Sequence, residues 1–252
     1  MLHKFLQPNI LSICKQCVSR TNVHHHRRCI SFIAKATPNP FAFKFEALED
    51  IDDVFNKYLS FLHNASLPRQ FSTPDLAANY SSLAKNILNV HGVDNIFFGD
   101  TYITLQIENN IDIEWEDVEK SVSVEMINFF ETYNHESQID LHIGDNHNIQ
   151  KILSNEKKEG KVVQHSNIDL VNEIGNVIDE KVRPHVQADG GDVEFVIFDE
   201  NGIVHLRMLG ACVSCPSSTV TVRFMIKNML QYYFDEVNDV KHVDWEEEEG
   251  ED

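Results

Sequence analysis

Apolar residues recur along this chain in two separate stretches, and their spacing predicts short strands and helices in both. In the first stretch, the alternation of Phe41, Phe43 and Phe45 with smaller or charged residues predicts a half-buried strand. Two further strands are predicted at Val93–Phe98 and Thr101–Ile107, which a Gly-Asp turn separates. These three strands provide the sheet of a first folded unit.

Two helices are predicted around these strands. One runs from Asp75 to His91 and ends before Gly92, a residue type that commonly follows the last helical turn. The other is predicted from apolar positions at helical spacing: Trp115, Val118, Val122, Met126, Phe129 and Phe130. We interpret these aromatic residues as core.

The second stretch begins with a helix and a hairpin. Ser166 opens an approximate capping box, and the helix that follows is predicted to end near Pro184. Its apolar face comprises Val171, Ile174, Ile178 and Val182. Strands are predicted at Val193–Phe198 and Ile203–Leu209, joined by the strong hairpin signal Asn201-Gly202.

One more helix and a short strand complete the second unit. Pro216 suits the first position of the helix. The helix is predicted from Val222, Met225, Ile226, Met229, Leu230 and Tyr233. The strand, around Val240–Val243, is expected to join the hairpin. The fold class predicted for the chain is therefore α+β: two small domains, each a short sheet packed against helices.

The remaining segments are polar or charged. Residues 133–165 read as a flexible linker, and the tail at 245–252 as a disordered acidic block. Residues 1–36 contain six Lys or Arg and no Asp or Glu, which is typical of an organelle presequence. Phe5, Leu6, Ile10 and Leu11 are expected on one face of a short helix there. The predicted domains are thus 37–132 and 166–244.

Charge excludes some partners. The chain has a formal net charge of −19, and without the six positive charges of the presequence residues 37–252 carry −25. Such a body repels phosphate backbones, so we expect no nucleic-acid partner. No stretch approaches the roughly 20 apolar residues of a membrane span, so no membrane partner is expected either.

Cysteine chemistry is concentrated in one loop. Three of the five cysteines lie in the predicted presequence, which leaves Cys212 and Cys215 between a strand and a helix. Two intervening residues let both sulfurs point the same way, and Gly210 permits a tight bend. The positive end of the following helix favours thiolates, which are the species that bind metals.

Three chemistries fit this pair of cysteines, whereas a fourth interpretation, two buried structural thiols, is disfavoured because we expect the loop to be exposed. A dithiol oxidoreductase would use Cys212 and Cys215 in turn, although its CxxC normally belongs to a larger βαβ fold. Zinc and a cubane iron–sulfur cluster each need about four ligands, and one chain offers two thiolates. Two chains together supply four. A shared cluster would lie near the surface and be easily released, but the same count also admits zinc shared between two chains.

The residues around the loop resemble a known family. Pro184-His185-Val186-Gln187-Ala188-Asp189-Gly190-Gly191-Asp192-Val193 and Gly210-Ala211-Cys212-Val213-Ser214-Cys215-Pro216-Ser217-Ser218 resemble the Nfu family of iron–sulfur scaffold and carrier proteins. Thr37-Pro38-Asn39-Pro40 and Gly92–Gly99 are similar to the N-terminal domain of its mitochondrial members. After Phe45 the segment up to Phe71 is longer than the family pattern.

The resemblance implies a function. Cys212 and Cys215 would bind a [4Fe–4S] cluster bridged between two protomers and deliver it to apoproteins such as lipoyl synthase and respiratory-chain proteins. The cluster would hold the chain in a homodimer or higher oligomer, and upstream assembly machinery would be a further partner. The resemblance implies the mitochondrial matrix, with a plastid-type organelle as the alternative. No catalytic residue stands out, so we do not expect an enzyme; the turn Asp189–Asp192 is interpreted as structural.

Overall fold

The computed structural model describes residues 9–11, 32–48, 52–64, 69–109, 114–133, 165–213 and 218–243. The predicted linker and acidic tail therefore lie outside the described residues, apart from the linker's first and last residues. Two sheets packed with helices form an N-terminal and a C-terminal domain, so the predicted α+β class is confirmed.

The N-terminal sheet has six strands in the order β1-β2-β3-β6-β5-β4, with every neighbouring pair antiparallel. The strands are β1 (Asn9–Leu11), β2 (Phe32–Ala36), β3 (Ala42–Ala47), β4 (Gln70–Phe71), β5 (Val93–Phe98) and β6 (Ile103–Ile107). The β5 prediction is confirmed, and β6 begins two residues later than predicted.

Strands β1 and β2 lie inside the segment predicted as a presequence. Phe32 pairs with Ala47 of β3 and is 2% exposed, so the sheet begins before Thr37. Ile10 and Leu11 form part of β1, which contradicts the helix predicted for them; Phe5 and Leu6 lie outside the described residues. The presequence itself stays a prediction.

Among the described residues, four helices cover the N-terminal sheet: α1 (Asp52–Asn64), α2 (Pro74–Ala78), α3 (Ser82–Leu88) and α4 (Trp115–Thr132). Helix α4 confirms its prediction. Helix α1 was missed, although its buried residues Phe55, Tyr58, Leu59 and Leu62 have helical spacing. It occupies the segment that is longer than the family pattern.

The single helix predicted from Asp75 to His91 is wrong. The chain forms α2 and α3 instead, because Ser81 interrupts the helix and caps the second one. Its hydroxyl accepts hydrogen bonds from the Ala84 amide at 3.0 Å and shares a 2.6 Å hydrogen bond with Tyr58. A buried polar cap of this kind outweighs the local preference for one longer helix.

The C-terminal sheet has the order β7-β8-β9, with β7 (Gly191–Phe198) antiparallel to β8 (Ile203–Gly210) and β9 (Asp239–His242) parallel to β8. All three strands are confirmed to within two residues. At the predicted hairpin turn, Gly202 has a positive φ of 74°, which glycine adopts without strain.

The helices of this domain are α5 (Ile168–Val177), α6 (Arg183–Ala188) and α7 (Ser218–Tyr233). Asn167, not Ser166, caps α5 through its side-chain oxygen. A π-helical segment, Ile178–Val182, leads into α6, so the predicted end near Pro184 is wrong. Pro184 lies in the first turn of α6, where a missing N–H is tolerated.

Candidate metal-binding cysteine loop

The cysteine loop leaves the sheet at the end of β8. Gly210 is the last residue of that strand and has a positive φ of 62°, as expected for the tight bend predicted there. The amide of Val213 donates to the Gly210 carbonyl at 3.2 Å, which closes a turn around Ala211 and Cys212. The predicted ligand Cys212 therefore lies on a hydrogen-bonded turn at one end of the sheet.

Cys212 lies on the inner side of this turn. It is only 7% exposed and belongs to the hydrophobic core of the C-terminal domain, so the expectation of an exposed loop is wrong for this cysteine. The second predicted ligand, Cys215, lies outside the described residues, as does Pro216. Helix α7 begins at Ser218, so the order strand, cysteine loop, helix is as predicted.

Gly191 shapes the space that Cys212 occupies. A Cβ atom at Gly191 would lie 2.4 Å from Cys212 Sγ and 2.9 Å from the Leu209 carbonyl oxygen. No side chain fits at that separation, so the cysteine sulfur packs directly against the strand backbone. The second glycine of the Asp189–Asp192 segment thus has a packing role beside the cysteine. The predicted turn is confined to Asp189 and Gly190, because Gly191 and Asp192 belong to β7.

Asp192 carries a charge in the interior close to this turn. It is fully buried, and Arg69 Nη1 of the N-terminal domain lies 3.0 Å from its Oδ2. The two atoms are at ion-pair distance without the alignment of a hydrogen bond. Arg183 Nε lies 3.6 Å from Oδ1, and the Val193 amide donates to that oxygen at 2.8 Å. Two arginines from different domains therefore compensate one buried carboxylate.

Tyr102 of the N-terminal domain reaches the same region. Its hydroxyl donates to the Gly191 carbonyl at 2.5 Å. Burial raises the pKa of Tyr102 well above its usual range, and the carboxylates of Asp192 and Asp100 add to the increase; Cys212 contributes in the same direction. The phenol consequently remains a hydrogen-bond donor across the pH range in which proteins are handled.

A small cavity of about 30 Å³ opens beside Cys212 between α7, β8 and β9. Its lining is mainly apolar, with cationic side chains at Arg223 and Lys241. A cavity of this size holds only one or two water molecules, which is too little for a metal cluster.

The histidines and acidic residues that the structure describes do not form a metal site. Among the described residues, no three or more His, Cys, Asp or Glu side chains are grouped so that they could hold a metal ion. His185 is exposed, whereas His205 is buried and its Nε2 lies 3.0 Å from Asp199 Oδ2. Both observations agree with the interpretation of these histidines as surface and packing residues.

The sequence pattern did not reveal the residues that the N-terminal domain places around the loop. Tyr102 bonds to the Gly191 main chain beside the loop, and Arg69 pairs with the Asp192 side chain. They are scattered along the chain and share no motif. A polar residue inside a strand otherwise composed of apolar residues, as at Thr104 and Gln106, was the only available signal.

Comparisons with known proteins match both domains. A family model described as "Scaffold protein Nfu/NifU N terminal" matches residues 32–133, and one described as "NifU-like domain" matches residues 174–241. The first of these begins at β2, in agreement with the sheet. Within the described residues, no helix is long and apolar enough to span a membrane.

Relatives are similar over most of the chain. The human mitochondrial "NFU1 iron-sulfur cluster scaffold homolog" is 30% identical over 96% of this chain and 81% of its own length. Two mitochondrial proteins of Arabidopsis thaliana, NifU-like proteins 4 and 5, are 31% and 30% identical over 89% of this chain. The matches cover 70% and 72% of those two proteins.

Proposed function

This chain belongs to the Nfu family of iron–sulfur cluster scaffold proteins, and from that premise we propose that Cys212 and Cys215 bind one [4Fe–4S] cluster shared between two protomers. The observation that carries the proposal is the position of Cys212 on a turn at the sheet end, just before helix α7. A helix N-terminus stabilises the thiolate form, which is the form that binds iron.

Ligand number supports sharing between chains. A cubane cluster needs about four thiolates, and the chain has only Cys212 and Cys215 outside the predicted presequence. The cavity beside Cys212 is too small to enclose the cluster within one protomer. Two protomers facing each other supply four thiolates around a cluster that is held at the surface of each.

A shared cluster suits delivery. Separation of the protomers, or replacement of one cysteine pair by the thiolates of another protein, releases the cargo without unfolding either domain. We propose that the chain receives the cluster from upstream assembly machinery and passes it to apoproteins, such as lipoyl synthase and respiratory-chain proteins. It acts as a carrier, not as an enzyme. We place it in the mitochondrial matrix, since the relatives named above are mitochondrial.

Anaerobic reconstitution tests the proposal. The full chain is incubated with iron and sulfide, desalted, and analysed for iron, sulfide, zinc and native mass. We expect a brown dimer with about four irons and four sulfides per two chains, as four thiolate ligands per cubane require. Cys212→Ser and Cys215→Ser should each lose this iron. The matched control, with Cys14, Cys17 and Cys29 all changed to Ser, should retain it.

Other results would overturn the proposal in distinguishable ways. Iron retention that is unchanged in Cys212→Ser would remove the cysteine loop from the site. A colourless dimer holding one zinc would identify a zinc-bridged interaction module. A monomer that binds no metal but reduces a test disulfide would identify a dithiol oxidoreductase.

A further inference from the structure

Five polar residues of the N-terminal domain converge on the backbone just before Cys212 and on the Gly190–Gly191 backbone beside it. We call them the clamp residues: Asn39, Gln70, Tyr102, Thr104 and Gln106. Asn39, Thr104 and Gln106 are at most 5% exposed, and such burial of polar side chains is stable only where their hydrogen bonds are satisfied. Their partners are main-chain groups of the C-terminal domain.

Three of these residues hold the end of β8. Gln106 Nε2 donates to the Gly210 carbonyl at 2.7 Å, and the Gly210 amide donates to Gln70 Oε1 at 2.9 Å. Both main-chain groups of Gly210 are thus bonded to glutamines of the other domain. Asn39 Nδ2 donates to the Ala211 carbonyl at 3.0 Å, so the bonding continues to the residue immediately before Cys212.

The other two hold the turn that packs against Cys212. Thr104 Oγ1 donates to the Gly190 carbonyl at 2.7 Å, and Tyr102 donates to the Gly191 carbonyl. The Ala211 amide also donates to the Gly190 carbonyl, at 3.2 Å, which connects the turn to the cysteine loop. The N-terminal domain therefore contacts both segments that enclose the cysteine.

Two glycines allow the domains to come this close. A Cβ atom at Gly210 would lie 2.7 Å from Cδ1 of the Phe97 ring, and one at Gly190 would lie 3.1 Å from Thr37 Cγ2. Both glycines also have positive φ. Phe97 and Tyr102 pack with Leu209 in a small buried cluster, so apolar contact reinforces the hydrogen bonds.

From these contacts we infer that the N-terminal domain is an internal clamp that keeps the cysteine loop closed in the cluster-free chain. The clamp residues bond to the main chain and thereby fix the turn that directs Cys212 into the interior. A cluster shared between protomers requires this sulfur to face outward. Cluster binding must therefore break these contacts and open the clamp. This consequence rests on the proposed function, whereas the closure of the loop in the cluster-free chain does not depend on it.

The test removes two clamp bonds from the full chain. Thr104→Val and Gln106→Ala are combined, and the reduced, metal-free protein is followed by hydrogen exchange and by alkylation with N-ethylmaleimide, both resolved by peptide mass spectrometry. We expect exchange at residues 210–213 and alkylation of Cys212 to accelerate about ten-fold, as loss of one or two net hydrogen bonds would produce.

Gln231→Ala is the matched control. Gln231 also donates its side-chain amide to main-chain carbonyls, those of Val237 and Asn238, but it lies on α7 and outside the clamp. Its loop exchange and Cys212 alkylation should equal those of the wild type. Unchanged rates in a folded double variant would overturn the clamp, since the loop would then be closed by its own domain.

Hydrogen exchange of the β5 and α4 peptides shows whether the double variant is still folded. If it is not, a second variant provides the test. Gln70→Leu is a single change at a partly exposed clamp residue and removes the acceptor of the 2.9 Å hydrogen bond from the Gly210 amide. Faster loop exchange in it supports the clamp, and unchanged exchange overturns it.

Iron binding after reconstitution is measured separately from loop exchange in the metal-free protein. If loop exchange accelerates in the clamp variants but neither the wild type nor any variant binds iron, the clamp is supported and the cluster proposal is overturned. Iron binding in the wild type with no increase in exchange at residues 102–106 or 210–213 would support the cluster and overturn clamp opening.

Discussion

Arg69 Nη1 and Asp192 Oδ2 lie 3.0 Å apart across the two domains, with the aspartate fully buried. Arg69 also lies 3.5 Å from Glu194 and stacks above the Phe97 ring. Arg69 of the N-terminal domain and Arg183 of the C-terminal domain thus share the compensation of one buried carboxylate.

Arg69→Met should therefore destabilise the chain. It leaves Asp192 with Arg183 as its cationic neighbour, and breaking a buried ion pair typically costs about 3 kcal/mol or more. Urea unfolding at neutral pH measures the change. The double variant Arg69→Met/Asp192→Asn should recover part of the loss, because the uncompensated charge is gone.

An exposed ion pair provides the comparison. Lys120 and Asp117 lie 3.3 Å apart at the surface of α4, so Lys120→Met should change stability by less than about 1 kcal/mol. Equal effects of Arg69→Met and Lys120→Met would contradict a stabilising role for the interdomain pair.

Gly191→Ala should weaken both the fold and cluster retention. The added methyl would meet Cys212 Sγ and the Leu209 carbonyl, and overpacking of this kind costs about 1–3 kcal/mol. Thermal unfolding and iron retention after reconstitution are the measurements.

Gly175→Ala is the matched change within helix α5. The nearest atom to its added methyl would be the Phe195 ring at 3.5 Å, an ordinary contact. Alanine is the better helix former, so this variant should gain about 0.5–1 kcal/mol. A Gly191→Ala protein as stable as the wild type would show that the backbone shifts freely around the cysteine.

Ser81→Ala should destabilise the N-terminal domain by about 1–3 kcal/mol, since a buried cap and the hydrogen bond with Tyr58 are lost together. Thr73→Ala removes the exposed and longer cap of α2, whose hydrogen bond is 3.4 Å, and should cost only about 0.5–1 kcal/mol. Chemical denaturation followed by circular dichroism compares them. The reverse order would contradict the structural reason given for the helix break.

Acid should weaken the C-terminal domain through Asp199. Burial acts to raise the pKa of Asp199, but hydrogen bonds from His205 and from the Ile203 and Asn201 amides outweigh it and hold the pKa below its usual value. A lowered folded-state pKa means that this stabilisation is complete above about pH 3.9, the ordinary aspartate value, and is lost as the pH falls through the folded-state pKa.

Urea unfolding between neutral pH and strongly acidic pH measures this dependence. Asp199→Asn should be less stable at neutral pH and should lose less stability than the wild type on acidification. Thr132→Ala, which changes no titratable group, should give a curve parallel to the wild type. If the free energy of unfolding of Asp199→Asn falls on acidification as steeply as that of the wild type, this aspartate is not a source of acid sensitivity.

Local patterns in the sequence were sufficient for much of the fold. The hairpin around Gly202, strand β5 and helix α4 follow from periodicity and turn chemistry, which depend only on neighbouring residues. The position of Cys212 between a strand and a helix is likewise local, and ligand counting needed only the number of cysteines.

Only the tertiary structure decided the remainder, because its causes lie far apart along the chain. Ser81 divides a predicted helix through its hydrogen bond with Tyr58 of another helix. The polar strand residues Thr104 and Gln106 become buried because the C-terminal domain supplies carbonyl acceptors for them. The sequence determined that Cys212 is a metal-binding candidate; only the tertiary structure decided that it is buried in the core of the C-terminal domain, next to backbone that the N-terminal domain contacts.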